Sequence, residues 1–410
     1  MLPEKIPLLD ISIGEAPSAG QLLKNSIYEF RYSKPDAEQA SVALLMTARE
    51  KLTWQAGDLF APMDQNLPEG DLFMRIRAMF PKQAMTPMHL LTLIGRNGIG
   101  RLGYQLPERP ESQPVRAISK NELLATPYTP EVFDELVAAY LSTGAGIAGV
   151  QPKIMVPDRP TIPVPSLIVK AAGSAYPGLA ANEFLCLSAA KRAGIEVPAF
   201  ALSDDGQMLV LDRFDMMIHG DGRIERLGFE DIAALAGLRV RDVLSDRKYQ
   251  GSYQRIAELL QQLQLHRDNL NRFFAQVAFS VMVHNGDAHL KNFGVLYRSP
   301  AEIWLAPMFD VVTTAIYSYA QYPGGPVLED RTMALKLFSG KHQTKAYPTT
   351  AELLDFGHRI CGVSQPGNVI RTIASAMQET LDAAIGDERI PKDLLTAMKN
   401  VWQQGMRYAE

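Results

Sequence analysis

An acid and an amide stand five positions apart in the second half of this chain of 410 residues. They are Asp287 and Asn292, in the stretch V-H-N-G-D-A-H-L-K-N-F-G that runs from Val283 to Gly294. In a D-x-x-x-x-N loop the acid can orient or deprotonate a hydroxyl group, and the amide oxygen can hold a magnesium ion. A second acid, Asp310 in M-F-D-V-V, follows where a metal-binding aspartate belongs. The spacing therefore predicts phosphoryl transfer to a hydroxyl group.

Phosphoryl transfer needs a nucleotide site, and a glycine-rich segment upstream is the candidate. Gly144, Gly146 and Gly149 match G-x-G-x-x-G. A dinucleotide-binding turn is excluded, because a predicted helix precedes the glycines and a strand-like segment follows them. A hairpin whose backbone amides approach phosphates fits the glycines, although a plain flexible hairpin would explain them too. The loop residues assigned to nucleotide binding are Gly146, Ala148, Gly149, Val150, Gln151 and Lys153.

Two further segments follow in the order that a kinase requires. The strand S-L-I-V-K ends on Lys170, and the next predicted helix carries Glu183 near its start. Kinases use such a lysine on the α- and β-phosphates and hold it with such a glutamate. The alternative is an exposed strand-end charge and an acid that favours a helix N-terminus. Beyond them lies a predicted hinge whose backbone could bind an adenine edge, formed by Leu211, Asp212, Arg213 and Phe214.

These residues depend on strands and helices that bring them together. Residues 1–110 are predicted to form a small leading domain, 111–255 a lobe with the glycine-rich loop and hinge, and 256–410 a helical lobe. A helix over Leu270–His284 is predicted to lead directly into the D-x-x-x-x-N stretch. The other elements predicted by period are a strand over Tyr28–Tyr32, helices over Asp71–Phe80, Leu179–Ala193, Phe229–Ala236 and Gln254–Leu265, strands over Phe293–Tyr297 and Trp304–Ala306, and three helices between Thr350 and Arg407.

The composition is that of an ordinary globular protein. Hydrophobic residues make up 47% of the chain and charged residues 21%. The formal net charge of -4 argues against a strongly electrostatic surface for nucleic acid. Cys186 and Cys361 have no metal-ligand neighbour at C-x-x-C spacing. The start M-L-P-E-K lacks signal-peptide regions, and no run of 18 apolar residues occurs, so a reducing, cytoplasmic setting without membrane contact is expected.

The motifs also carry a family resemblance. D-A-H-L-K-N-F, from Asp287 to Phe293, is similar to the catalytic motif of the HipA family of serine/threonine kinases, the toxins of bacterial toxin–antitoxin pairs. Further matches extend along nearly the whole chain, and together they are specific. They are L-P-E-G at Leu67–Gly70, I-G-R-N at Ile94–Asn97, G-V-Q-P-K at Gly149–Lys153, I-V-K at Ile168–Lys170, N-E-F at Asn182–Phe184, V-L-D-R-F-D at Val210–Asp215, K-Y at Lys248–Tyr249, M-F-D at Met308–Asp310 and A-L-K-L at Ala334–Leu337.

The resemblance implies an α+β, two-lobed, protein-kinase-like fold with a small N-terminal α/β subdomain and a helical C-terminal lobe. It implies ATP and Mg²⁺ as cofactors, with Asp287 as base and Asn292 and Asp310 as metal ligands. It further implies that Lys170 anchors the phosphates and that Lys291 neutralises charge on the transferring phosphoryl group. His289 is expected to orient the loop, because Asp287 already fills the role of base.

The same resemblance implies partners. Substrates in the family include aminoacyl-tRNA synthetases, whose phosphorylation halts translation and growth. The usual partner is a small helix-turn-helix antitoxin, so DNA would be reached only through it. Family members carry a serine at the start of the loop S-x-x-G-x-Q-x-K and inactivate themselves by phosphorylating it, whereas this chain has Gly146 there. Two alternatives stay open: a small-molecule phosphotransferase with a similar H-G-D-x-x-x-x-N loop, and an inactive kinase-like binding module.

Overall fold

The computed structural model describes residues 3–14, 16–33, 41–95, 98–107, 118–143, 153–156, 166–171, 176–239, 247–320 and 327–410. The strands are β1 Leu8–Ile13, β2 Ala16–Lys24, β3 Tyr28–Tyr32, β4 Thr53–Ala56, β5 Leu102–Gln105, β6 Lys153–Val156, β7 Leu167–Ala171, β8 Phe200–Leu202, β9 Met208–Asp212, β10 Met216–Ile218, β11 Ile224–Arg226, β12 Gly228–Asp231, β13 Gly294–Ser299, β14 Glu302–Leu305, β15 Ser318–Ala320 and β16 Val327–Glu329. The α-helices are α1 Ala61–Asp64, α2 Gly70–Met79, α3 Pro87–Ile94, α4 Lys120–Ala125, α5 Pro130–Thr143, α6 Leu179–Arg192, α7 Ile232–Leu235, α8 Tyr253–Gln262, α9 Arg267–Met282, α10 Thr350–Asp355, α11 Pro366–Ala384 and α12 Lys392–Met406.

The chain divides into two compact units, and it passes from one to the other within β9. The first unit comprises Met1–Ala171, Val210–Arg247 and Gly294–Ile303. The second comprises Ala172–Leu209, Lys248–Phe293 and Trp304–Glu410. The domain boundaries predicted from the sequence, after residues 110 and 255, stay predictions.

The first unit contains an antiparallel sheet with the strand order β4-β3-β2-β1-β5. Successive side chains of a strand point to opposite faces, so one face of each strand can enter a core. In β3, Tyr28, Phe30 and Tyr32 are buried while Arg31 is exposed, as the alternation of Y-E-F-R-Y predicts. Helix α3 begins after Thr86, whose hydroxyl accepts from the N–H of His89, and its last residue precedes Gly95 at φ 57°. The predicted strand Tyr28–Tyr32 is confirmed.

A strand replaces the first half of one predicted helix. The prediction of helix over Phe229–Ala236 is wrong before Ile232, because Gly228–Asp231 form β12 and pair antiparallel with β13. Pairing with a strand distant in the chain supplies hydrogen bonds that local propensity does not reveal. Gly228 is required there, since a Cβ would overlap the ring of Tyr297. Helix α7 starts next, capped by Asp231, whose carboxylate accepts from the N–H of Ala234 at 2.7 Å.

Glu230 of β12 is buried, with 1% of its surface exposed, and its Oε1 accepts from the N–H of Leu44 at 2.7 Å. Burial raises its pKa to about 7, from 4.5 for an exposed glutamate. The folded state therefore holds this proton more tightly than the unfolded chain, so the free energy of unfolding falls as pH rises through this range. We expect Glu230→Gln to remove that decline while keeping an oxygen for Leu44. Urea unfolding at several pH values measures it, and an unchanged pH slope would contradict this assignment.

The second unit is mainly helical, and α9 lies in its core. Phe273, Phe274, Val277 and Phe279 of α9 are fully buried, and α11 and α12 pack against this helix. Gly405 lets α12 approach the end of α9, because a Cβ there would overlap the backbone of Met282. The predicted helix before the D-x-x-x-x-N stretch and the three helices of the C-terminal segment are confirmed. Within the ranges described, no helix has both the length and the apolar character needed to cross a membrane.

Candidate functional site

The D-x-x-x-x-N stretch lies in a loop of the second unit that starts where α9 ends. His284 adopts the left-handed conformation at φ 53°, which turns the chain out of the helix. The next residue is Asn285, and its side-chain oxygen accepts from the N–H of Asp287 at 3.1 Å. This hydrogen bond closes an Asx-turn. The N–H of Gly286 donates to the hydroxyl of Thr314 at 2.7 Å. The backbone around Asp287 is thus fixed from two directions.

The carboxylate of Asp287 is held by a tyrosine. The hydroxyl of Tyr249 donates to Oδ1 of Asp287 at 2.5 Å. Burial of the carboxyl raises the pKa of Asp287, while the hydrogen bond from Tyr249 and the charge of Lys248 lower it and the charge of Asp310 raises it. The side chain is nevertheless 49% exposed, so a second molecule can reach the oxygen that Tyr249 leaves open. Such a group can accept a proton from a hydroxyl.

His289 lies beside this carboxylate without forming a close ion pair. Its Nε2 is 4.0 Å from Oδ1 of Asp287, and its ring meets the ring of Tyr249 edge-on, with centroids 5.1 Å apart. Burial and the charges of Lys248 and Lys291 hold the pKa of His289 well below its usual value. The imidazole is therefore neutral near pH 7, which suits packing and loop orientation better than charge transfer. The predicted structural role stays a prediction that this geometry favours.

The two predicted metal ligands lie in the same electrostatic cluster. Oδ1 of Asn292 accepts from the N–H of His289 at 3.1 Å, which leaves one lone pair of that oxygen for a cation. Asp310 has a left-handed backbone at φ 52°, and such strain in a residue other than glycine is concentrated at functional sites. Its charge raises the pKa of both Asp287 and His289. One carboxylate and one amide oxygen fit Mg²⁺, which takes its other ligands from water and phosphates.

Sequence reasoning missed the residue that fixes the segment after Asp310. Asn182 of α6 donates from Nδ2 to the carbonyl of Thr313 at 3.0 Å, and its Oδ1 accepts from the N–H of Thr313 at 2.8 Å. Both residues are fully buried. The indole N–H of Trp402 donates to the hydroxyl of Thr313 at 2.8 Å. The available signal was an amide side chain in the first, buried turns of α6, because a buried amide needs partners.

Tyr249 was also missed as a site residue, although K-Y was among the family matches. We expect Tyr249→Phe to move the acid limb of the kcat/KM profile for phosphate transfer to higher pH. The hydrogen bond from Tyr249 lowers the pKa of Asp287, so its removal should raise that pKa. Asp287 must be ionised to accept a proton. Tyr408→Phe is the matched control, since its hydroxyl donates to the carbonyl of Pro348 in the same unit. Equal pH profiles for the two variants would exclude this role.

The predicted nucleotide residues belong to both units and to undescribed segments. Lys170 lies in β7 of the first unit, where only 3% of it is exposed, and its register partner is Lys153, the first residue of β6. Glu183 is fully buried in α6 of the second unit. Lysine and glutamate are rarely so buried without a structural or functional reason. The Lys170–Glu183 pair stays a prediction, and the loop residues lie outside the described ranges, namely Gly146, Ala148, Gly149, Val150 and Gln151.

The side chains of the predicted hinge have structural partners in the first unit. The guanidinium of Arg213 and the carboxylate of Asp215 form an ion pair with neither side chain exposed, and Asp215 also accepts from the N–H of Gly100 at 2.6 Å. The backbone N–H of Arg213 donates to the carbonyl of Ser166 at 2.9 Å. The carboxylate of Asp212 accepts from the ammonium of Lys120 at 2.7 Å. The side chain of Leu211 is 2% exposed, and the ring of Phe214 is half-buried and meets the ring of Phe229 edge-on. Adenine binding at the hinge, which would use backbone groups, stays a prediction.

An α+β chain in two compact units, with this loop and a second acid beside it, is a kinase-like protein. The model of the HipA-like C-terminal domain matches residues 145–385, and the model of the HipA N-terminal domain matches residues 9–105. Since the first match alone covers more than half of the chain, the protein belongs to the HipA family.

The chain is also similar to two proteins described as candidate kinases. The chain is 32% identical over 170 residues to the candidate kinase Y4dM of Sinorhizobium fredii, covering 37% of this chain and 38% of that one. It is 28% identical over 189 residues to a candidate kinase of Haemophilus influenzae, covering 42% and 54% of the two chains. The chain therefore matches only part of the length of these relatives.

The structure of HipA from Shewanella oneidensis MR-1, solved with HipB and its operator DNA, has a TM-score of 0.66 at 19% identity. It covers 98% of this chain and 96% of that one. At this identity the likeness shows the fold. The predicted α+β, two-lobed, kinase-like fold is confirmed.

Proposed function

We propose that this protein is an ATP- and Mg²⁺-dependent serine/threonine protein kinase of the HipA toxin type. The observation that carries the proposal is the carboxylate of Asp287, held by Tyr249 at 2.5 Å and still half exposed, in one cluster with Asn292 and Asp310. Bound ATP with Mg²⁺ would supply the phosphoryl group and neutralise part of its charge. Asn292 and Asp310 are the residues whose oxygens suit that metal.

We assign roles to the remaining residues as part of the same proposal. Asp287 accepts the proton of the acceptor hydroxyl, and burial brings its pKa closer to neutral, which improves a base at neutral pH. Lys291 directly precedes Asn292, and its charge lowers the pKa of His289. A positive charge therefore lies within the cluster. Preorganised positive charge stabilises the charge of the transferring group. Lys170 would anchor the phosphates, and Glu183 would orient it.

The substrate and partners are part of the same proposal. The family points to a component of translation as substrate, such as an aminoacyl-tRNA synthetase, and to growth arrest as the result. The HipA of Shewanella oneidensis was solved with HipB and operator DNA, which supports a small antitoxin as partner here, with DNA contacted through it. A cytoplasmic location fits these partners. With Gly146 in place of the usual serine, we expect no self-inactivation at that position.

Phosphate transfer from labelled ATP to proteins of a cell extract tests the proposal, with Asp287→Asn as the paired inactive variant. Protein labelling that requires Mg²⁺ and is lost in the variant supports a protein kinase. Consumption of a small alcohol with no protein labelled would instead identify a small-molecule phosphotransferase. If Mg²⁺ and ATP together do not raise the thermal stability of the full chain, the protein is a kinase-like binding module, because a ligand of the folded state must stabilise it.

A further inference from the structure

A basic segment follows the acid Asp330. Between residues 331 and 351 the sequence has four lysine or arginine residues and no aspartate or glutamate. Backbone hydrogen bonds fix this segment within the second unit, because the N–H of Tyr253 donates to the carbonyl of Lys336 at 2.9 Å. The N–H of Met333 donates to the carbonyl of Lys345 at 2.7 Å. The backbone of Lys336 therefore lies next to Tyr253, and the backbone of Lys345 lies next to Met333, three residues before Lys336.

That arrangement brings positive charge to the base. The ammonium of Lys345 lies 5.7 Å from the centre of the Tyr249 ring, and that of Lys248 lies 5.4 Å from it. The same tyrosine donates its hydroxyl to Asp287 at 2.5 Å. Two ammonium groups thus lie close to the Tyr249 ring. The hydroxyl of that ring binds the carboxylate that would accept the proton of the acceptor hydroxyl.

The charge of Lys345 is not balanced locally. Burial and the charge of Lys336 lower the pKa of Lys345. Among the residues that the structure describes, neither Lys336 nor Lys345 forms an ion pair with a carboxylate, Asp330 included. Lys336 donates only a long hydrogen bond of 3.4 Å, to the carbonyl of Gly340. Two like charges that repel each other in a partly buried place are stabilised by an anion.

We propose that Lys336 and Lys345 form an anion subsite for the acceptor, which binds a carboxylate or phosphate group near the hydroxyl that is phosphorylated. This inference rests on the proposed kinase function and extends it to substrate preference. Lysine binds such groups as a point charge, without the geometric demands of arginine. A nucleic acid would need many more phosphate contacts than these two lysines offer. The acceptor is therefore a protein segment with an acidic or phosphorylated side chain close to its serine or threonine.

Amine labelling of the full chain, read by mass spectrometry, tests the subsite without requiring kinase activity. The probe is inorganic phosphate, compared with chloride at equal ionic strength. We expect phosphate at about ten times its Kd to slow acylation of Lys345 by about tenfold, by simple site occupancy. Lys392 and Lys399 are exposed on α12 and serve as internal controls with unchanged rates. Equal labelling of Lys345 in phosphate and chloride would overturn the inference.

Variants show whether the two lysines act together. Lys336→Gln should raise the phosphate concentration that protects Lys345 by about fivefold or more, as expected for the loss of one nearby charge. Lys399→Gln is the matched control and should leave that concentration unchanged. If Lys336→Gln leaves the protection of Lys345 as it was, Lys336 is not part of the site and the proposal fails.

Peptide kinetics then separates the two sources of the anion. For peptides with an acidic or a phosphorylated residue beside the acceptor serine, Lys345→Gln should raise KM by about fivefold or more with little change in kcat. A neutral peptide should show equal KM with both proteins. The peptide with the larger ratio identifies carboxylate or phosphate as the preferred group. Protection of Lys345 by phosphate without any transfer to protein would refute the proposed function and leave the subsite, whereas transfer without protection would refute only the subsite.

Discussion

Replacement of Asp287 by asparagine should lower kcat/KM for phosphate transfer by about 10²–10⁴-fold, the contribution of a positioned general base. Asparagine keeps the size of the side chain and an oxygen that can accept from the hydroxyl of Tyr249. It cannot take a proton from the acceptor. The measurement is initial-rate kinetics with saturating Mg²⁺ and ATP, with the protein acceptor varied.

The fold of this variant must be shown to be intact. Asp393→Asn, an exposed position on α12, is the matched control and should retain full activity. Thermal stabilisation by Mg²⁺ and ATP should persist in Asp287→Asn, because the predicted metal ligands are other residues. A loss of less than about tenfold would show that Asp287 is not the base, since it would fall below the range for general base catalysis.

Asp310→Asn should abolish most of the stabilisation by Mg²⁺ and ATP and lower transfer by about 10²-fold or more, because a neutral amide replaces a metal-binding carboxylate. Asparagine is the right replacement, since it tolerates the left-handed backbone of Asp310 at φ 52°. Alanine at the same position adds strain of about 1–2 kcal/mol. An effect on metal binding could then not be separated from an effect on stability. Thermal unfolding and transfer rates, both measured over a titration of Mg²⁺, give the result.

A second readout separates the role of Asp310 from general damage. The charge of Asp310 raises the pKa of Asp287, so its removal should move the acid limb of kcat/KM to lower pH. Tyr249→Phe is expected to move the same limb in the opposite direction. Residual activity of Asp310→Asn with an unaltered Mg²⁺ requirement would show that Asp310 is not a metal ligand.

The grouping of an acid and an amide in one loop was predictable from their spacing, because they are close in the chain. Asp287 and Asn292 fall within one short turn, and the helix that leads into them has a clear apolar period. The strand Tyr28–Tyr32 and the three helices of the C-terminal segment were predictable for the same reason. Period and spacing are local properties, and they survive folding wherever local and tertiary preferences agree.

Contacts between residues far apart in the chain could not be predicted from the sequence. Tyr249 meets Asp287 across 38 positions, and Asn182 meets Thr313 across 131. Residues 229–231 form part of a strand because β13 lies beside them, although their own pattern predicted a helix. No local period encodes which distant groups will meet.

The sequence alone therefore determined which groups share this part of the chain, namely an acid, an amide five positions later and a second acid downstream. Only the tertiary structure decided how that acid is tuned, since the hydroxyl of Tyr249 and the charges of Lys248 and Asp310 reach it from other segments. The same is true of Lys336 and Lys345, whose backbones are held by hydrogen bonds to Tyr253 and Met333. Electrostatic effects depend on distance in space, and that distance is fixed only when the chain has folded.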